Sequence, residues 1–101
     1  MNAILQNNLS AVKEILQKHK VVRAYAFGSV CTDKFNDESD IDFLITFQKG
    51  LDPVEHGEHW FQALYDLRNL LHRDVDLITE TSLQNPYFIK ALEKTKTLLY
   101  E

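Results

Sequence analysis

Asp40 and Asp42 flank Ile41 at the start of an apolar run that ends at Phe47, and ten residues separate Asp40 from a Gly28-Ser29 pair. On an extended strand, residues two apart share a face and lie about 6.5–7 Å from each other. Two unit charges at that range repel by ~2–3 kcal/mol at an effective dielectric near 20. A hard divalent cation such as Mg²⁺ reverses the sign, because it takes oxygen ligands, commonly one or two carboxylates plus phosphates and water. Asp76, inside the aliphatic stretch V-D-L-I, offers a third carboxylate. Three such groups can hold the metal pair used for in-line phosphoryl displacement. Gly28 supplies the other half of that chemistry. Without a Cβ it lets backbone N–H groups approach an anion, and the Ser29 hydroxyl can donate to a phosphate oxygen.

Each piece alone reads as structure: a Gly-Ser turn, two solvated aspartates, an acidic surface that also takes in Asp33, Asp37 and Glu38. Together they are harder to dismiss. At ordinary residue frequencies, G-S-x10-D-x-D at fixed spacing arises by chance in about one in a thousand chains of this length.

The elements that must carry these groups follow from hydrophobic spacing. Ile4, Leu5, Leu9, Val12, Ile15, Leu16 and His19 form one stripe on a helix of about four turns. V-V-R-A-Y-A-F (21–27) predicts a strand that Gly28 ends, and 28–39 a turn followed by a loop. I-D-F-L-I-T-F (41–47) predicts a strand with Ile41, Phe43, Ile45 and Phe47 on one face and Asp42, Leu44 and Thr46 on the other. Residues 48–58, with two glycines and Asp-Pro, predict a loop. A helix over 59–72 carries Trp60, Leu64, Leu67, Leu70 and Leu71 on one face, and a strand follows over 74–79. Asn85 and Pro86 open a last helix as cap and first residue. Leu98, Leu99 and Tyr100 form an apolar tail that should dock. The expected fold is α+β, in the order α-β-β-α-β-α, with a small mixed sheet flanked by helices. Residues 1–101 make one domain.

Composition sets limits. The chain has 101 residues, 45% of them apolar and 26% charged, which is the make-up of an ordered globule rather than a disordered segment. A net charge of −4 argues against a polynucleotide partner held by phosphate neutralisation. Cys31 is the only cysteine, so no internal disulfide forms. Neither a signal peptide nor a bilayer-spanning run is visible, and the cytoplasm is the expected location.

The segments F-G-S, S-D-I-D-F-L-I and V-D-L-I-T, with L-R-N-L-L-H-R-D and the closing L-E-K-T-K-T-L-L-Y-E, resemble the minimal nucleotidyltransferases (MNT) of the DNA polymerase β-like superfamily over nearly the whole chain. The resemblance implies the polymerase β-like fold and adenylyl transfer from ATP with Mg²⁺. It implies that Gly28 and Ser29 bind the nucleotide, and Ser39 is a further candidate for that role. Asp40, Asp42 and Asp76 become the metal-binding and catalytic carboxylates, Asp76 also helping to activate the attacking hydroxyl. Members of this group are commonly antitoxins paired with a HEPN-domain ribonuclease toxin, and some transfer AMP onto a tyrosine of that toxin. Many relatives carry an arginine directly after the Gly-Ser pair. Here Val30 and Cys31 follow, which leaves Lys34, Lys49 and Arg73 as candidate phosphate cations.

The predicted elements use the length on one catalytic layer, so the acceptor is expected to bring its own binding surface, as a HEPN partner would. A small hydroxylated acceptor in a cleft completed by a homo-oligomer, or an antitoxin that only binds, stays open. Among other residues, Asp74 rivals Asp76 by period two. His56 and His59 read as surface-loop residues before a zinc pair, and Cys31 as packing. Trp60 belongs to the core, while Phe61 and Tyr65, off the leucine face, suit an interface.

Overall fold

The computed structural model describes residues 2–101. Two short helices, α1 (Ala3–Asn7) and α2 (Leu9–Lys18), precede strand β1 (Val21–Phe27) and a 3-10 turn (Gly28–Cys31). Strand β2 (Ile41–Phe47), helix α3 (Pro53–Leu71), strand β3 (Val75–Thr79), a second 3-10 turn (Glu80–Ser82), helix α4 (Pro86–Thr95) and strand β4 (Thr97–Tyr100) complete the chain. The sheet order is β3-β2-β1-β4. β1 runs antiparallel to both β2 and β4, whereas β2 and β3 are parallel. A parallel neighbour needs a crossover, and α3 provides it.

Strand β2 alternates as its sequence predicts. Ile41, Phe43, Ile45 and Phe47 are buried with Leu5, Val12, Leu16, Leu67 and Val75 in the main core, beneath the first three helices. Leu44 looks the other way, into a smaller cluster with Phe27 and Leu92 of α4. The mixed sheet and its helices therefore match the α+β expectation.

Four boundaries differ from it. The amino-terminal stripe is two helices broken at Asn8, whose side-chain nitrogen donates to the Ile4 carbonyl (2.8 Å). Helix α3 begins at Pro53, inside the expected loop: Asp52 is its N-cap and accepts from the Glu55 N–H at 2.9 Å. His56 and His59 thus lie on a helix rather than in a surface loop. His59 Nδ1 meets His19 Nδ1 at 3.3 Å, and His19 Nε2 meets Asp66 Oδ2 at 3.0 Å, which ties the end of α2 to α3. The expected strand over 74–79 starts one residue later, at Val75. Finally, the apolar tail is a fourth strand on the free edge of β1, fixed by the Tyr100 hydroxyl donating to the Val21 carbonyl at 2.7 Å. Burial pushes that phenol up to about 12.

Candidate active site

The parallel pairing of β2 with β3 sets Asp42 directly beside Asp76. The pleat points both to the face away from the main core, since Ile41, Phe43, Val75 and Leu77 occupy the other one. Asp42 is half-buried and Asp76 exposed. Burial first, then the charge of Asp76 and a hydrogen bond shared with it, then the charge of Asp40, push the Asp42 carboxyl up to about 6. Burial and neighbouring negative charge both disfavour its ionised form, and an opposite charge would restore it.

Asp40 sits one residue outside β2, exposed at the end of the 32–40 loop. It acts on Asp42 only as the weakest of these influences. Among the described residues no group of three or more His, Cys, Asp or Glu side chains is gathered into a metal cage. The assembled unit is the Asp42–Asp76 pair, across two strands, with Asp40 adding a weaker influence on Asp42. This differs from the expected convergence of Asp40 with Asp42 along one strand. Asp74 lies outside β3, where its carbonyl accepts from the Ile41 N–H at 3.1 Å.

Gly28 plays a part other than the expected one. Its N–H donates to Thr95 Oγ1 at 2.9 Å, so that donor is engaged by the end of α4. A Cβ built on Gly28 would stand 2.5 Å from Asp42 Oδ2, and φ here is +76°. Glycine is required because the carboxylate occupies the space where any side chain would begin. Ser29 follows, half-buried in the 3-10 turn. The Ser39 hydroxyl accepts from the Asn36 N–H at 3.1 Å and closes a turn in the loop that delivers Asp40.

The three candidate cations separate clearly. Lys49 follows the far end of β2, beside a different cavity lined by Phe47, His56 and Thr81. Arg73 donates from Nη1 to the carbonyls of Asn36 (3.1 Å) and Ser39 (2.9 Å), with its guanidinium carbon 4.5 Å from the Phe35 ring centroid. It is committed to holding the loop. Lys34 is exposed within that loop. Spacing gave no sign of Arg73's bracing or of the Thr95 contact, because both depend on how distant segments dock. Trp60 packs against the core and donates to the Leu77 carbonyl at 2.9 Å, and Cys31 packs there too. Phe61 and Tyr65 are 68% and 65% exposed, which leaves them free for contact.

Comparison with known proteins decides the family. The family described as "Polymerase beta, Nucleotidyltransferase" matches residues 10–101. The chain belongs to this nucleotidyltransferase family. Two Methanocaldococcus jannaschii proteins, each named "Putative protein adenylyltransferase", are 36% identical over 94 residues and 37% identical over 98 residues. In each case the match covers 85% of this chain and 92% of the relative. A solved structure described as a "putative minimal nucleotidyltransferase" superposes with a TM-score of 0.69 at 26% identity, covering 96% of this chain and 95% of that one. A chain from the complex of a tri-AMPylated Shewanella oneidensis HEPN toxin with its MNT antitoxin shares the fold, with a TM-score of 0.66 at 22% identity over 94% of this chain and 71% of its own. The nucleotidyltransferase is thus an enzyme of nucleotidyl transfer, built on the polymerase β fold. No helix among its described residues is long and apolar enough to cross a membrane.

Proposed function

We propose that the chain is a Mg²⁺-dependent adenylyltransferase that moves AMP from ATP to a hydroxyl of a partner protein, as the MNT antitoxin of a HEPN/MNT pair. The observation that carries this reading is the Asp42–Asp76 pair. Two carboxylates in register on neighbouring strands, one of them pushed up to about 6, suit a divalent cation that neutralises both. The donor set fits Mg²⁺, which binds through one or two carboxylates together with substrate phosphates. Asp42 and Asp76 would hold it, with Asp40 joining as the nucleotide binds. Bound Mg²⁺ supplies charge neutralisation for the phosphate oxygens.

The chain's own residues do the rest. Ser29 donates to the triphosphate beside Gly28, and Gly28 leaves room for the Asp42 carboxylate under it. Asp76, exposed at the edge of the pair, accepts the proton of the acceptor hydroxyl. The hydroxyl oxygen bonds to the α-phosphorus, the bridging bond from that phosphorus to the β-phosphate oxygen breaks, and pyrophosphate leaves. Most of the rate comes from positioning and fixed charge. The HEPN partner is supported by the fold shared with the MNT antitoxin of the Shewanella complex and by the exposed Phe61 and Tyr65 on α3. The partner surface requires neither a membrane nor nucleic acid, and the cytoplasm is where such a pair would act.

The test is transfer of label from α-labelled ATP, with Mg²⁺, to a candidate HEPN protein. Label on the partner, lost with Asp42→Asn and with chelation, is the expected result. Neutralisation of the partner without label, unchanged by Asp42→Asn, would replace this reading with an antitoxin that acts by binding alone.

A further inference from the structure

Helix α3 buries Ala63, Leu64, Leu67 and Leu71 in the main core and turns its opposite side to solvent. Val54, Glu58, Phe61, Tyr65 and Arg68 run along that outer side, all exposed, in steps of four, three, four and three. Alternating steps of three and four are the spacing of a coiled-coil seam. Val54, Phe61 and Tyr65 are large apolar side chains left uncovered on it. Phe61, Leu64, Tyr65 and Arg68, with Gln62, surround a depression of about 240 Å³. Four residues at such spacing frame the hole that receives a knob from a facing helix. The Phe61 ring is set at the rim, edge-on to Trp60 at 5.1 Å and 87°, and Trp60 is itself fixed by donating to the Leu77 carbonyl at 2.9 Å.

The same face is complementary to itself. With a second α3 laid antiparallel and centred midway between Phe61 and Tyr65, Phe61 of each copy meets Tyr65 of the other. Glu58 of each copy then meets Arg68 of the other, because that pair has the same midpoint. Each Phe61 also comes over the depression of the facing helix. A parallel arrangement would set Glu58 against Glu58 and Arg68 against Arg68, so charge selects the antiparallel one. Among the described residues neither Glu58 nor Arg68 is ion-paired within the chain. Gly57 flanks the seam, and a Cβ there would meet nothing within 4 Å. Glycine weakens a helix interior relative to alanine. No neighbour within the chain requires it, whereas the close approach of a second helix does. We propose that in the free protein a second copy of this chain occupies this face through an antiparallel α3–α3 seam, an isologous contact. It stands apart from the nucleotidyl-transfer reading, since Asp42 and Asp76 lie on the other face of the sheet. A partner protein that uses Phe61 and Tyr65 displaces the second copy.

One helix pair is a small interface, near roughly 1,000 Å² in total, so a reversible dimer with a Kd on the order of 10 μM is expected. Sedimentation equilibrium of the full chain over a range of concentrations tests it. Phe61→Lys, at an exposed position, should give a monomer with the parent's far-ultraviolet circular dichroism. Glu58→Arg and Arg68→Glu should each weaken the dimer by about tenfold or more, because each sets like charges opposite one another. The double variant Glu58→Arg/Arg68→Glu restores both pairs with their signs exchanged and should dimerise as the parent does. A parent chain that stays monomeric up to about 1 mM overturns the proposal. So does a dimer that Phe61→Lys leaves intact, which would place the contact elsewhere. Single charge reversals without effect, or a double variant no tighter than either single one, would overturn the antiparallel seam.

Discussion

The two faces of β2 are made from the same seven residues and do opposite work. Ile41, Phe43, Ile45 and Phe47 are buried under three helices. Asp42, Leu44 and Thr46 face a side that α4 covers only in part, through Leu44. The closed face stabilises the sheet by apolar burial. The open face holds two like charges next to each other, at some cost to that stability. Chemistry and stability therefore sit one residue apart along the chain, and substitutions should tell them apart.

The sharpest separation is at Asp42. Asp42→Asn removes the carboxylate that burial and Asp76 have pushed up to about 6. The expected loss of adenylyl transfer is about 10³-fold or more, since a metal-held charge contributes several kcal/mol to such a transition state. Thermal unfolding without Mg²⁺ should show a variant at least as stable as the parent. A variant that unfolded earlier would mean that the carboxylate serves the fold, and the contrast between the faces would not hold.

Its counterpart is one position along. Phe43 is fully buried, and Phe43→Ala should cost about 3–5 kcal/mol of stability by denaturant unfolding. At a temperature where the variant stays folded, its transfer rate should fall far less than that of Asp42→Asn. A comparable collapse in rate would show the two faces to be mechanically coupled.

How far this contrast could be seen beforehand depends on which interactions are local. The period-two pattern of 41–47 carries both faces, and a match between V-D-L-I and a neighbouring strand brings Asp76 to Asp42. Those are consequences of pleat and spacing. Which charge acts most strongly on Asp42 was not legible: Asp40 is two residues away in sequence, but the parallel register makes Asp76 the stronger influence. The missing Cβ of Gly28 is expected from sequence to admit an anion to backbone N–H groups, whereas what it admits in the fold is the Asp42 carboxylate, a fact fixed by the docking of β1 against β2. Strand β4 was hidden because L-E-K-T-K continues a helical pattern, and only the free edge of β1 draws Thr97–Tyr100 into extended form. Asp52-Pro53 shows two uses of one signal. The pair suits a turn and a helix start equally well, and the long apolar face behind it selects the helix.

A smaller effect should appear where the loop meets the open face. Arg73 holds the Asn36 and Ser39 carbonyls and stacks on Phe35, immediately before Asp40. Lysine keeps the charge and loses the planar fork. Arg73→Lys should raise the Mg²⁺ concentration needed for half-maximal transfer several-fold while the melting temperature moves by a few degrees at most. If Mg²⁺ dependence is untouched, Asp40 either needs no bracing or takes no part on the open face.

The smallest effect is also the most diagnostic of where the cost of the open face resides. In the folded chain the Asp42 carboxyl is raised to about 6 from an ordinary value of 3.8, so between those values the native state binds a proton that the unfolded state has released. Stability then falls as pH rises through that window, and the penalty is complete above it. Near pH 4 the carboxyl is protonated in the native state, and Asp42→Asn changes little. At pH 7 it is charged beside Asp76, and the variant should melt higher by a margin that grows smoothly between pH 4 and 6. Subtracting the two melting curves cancels the titration of carboxylates remote from this pair, which the substitution leaves in place. A difference independent of pH would mean that Asp42 keeps its charge without strain, and the open face would then owe its readiness for a cation to some group other than this pair.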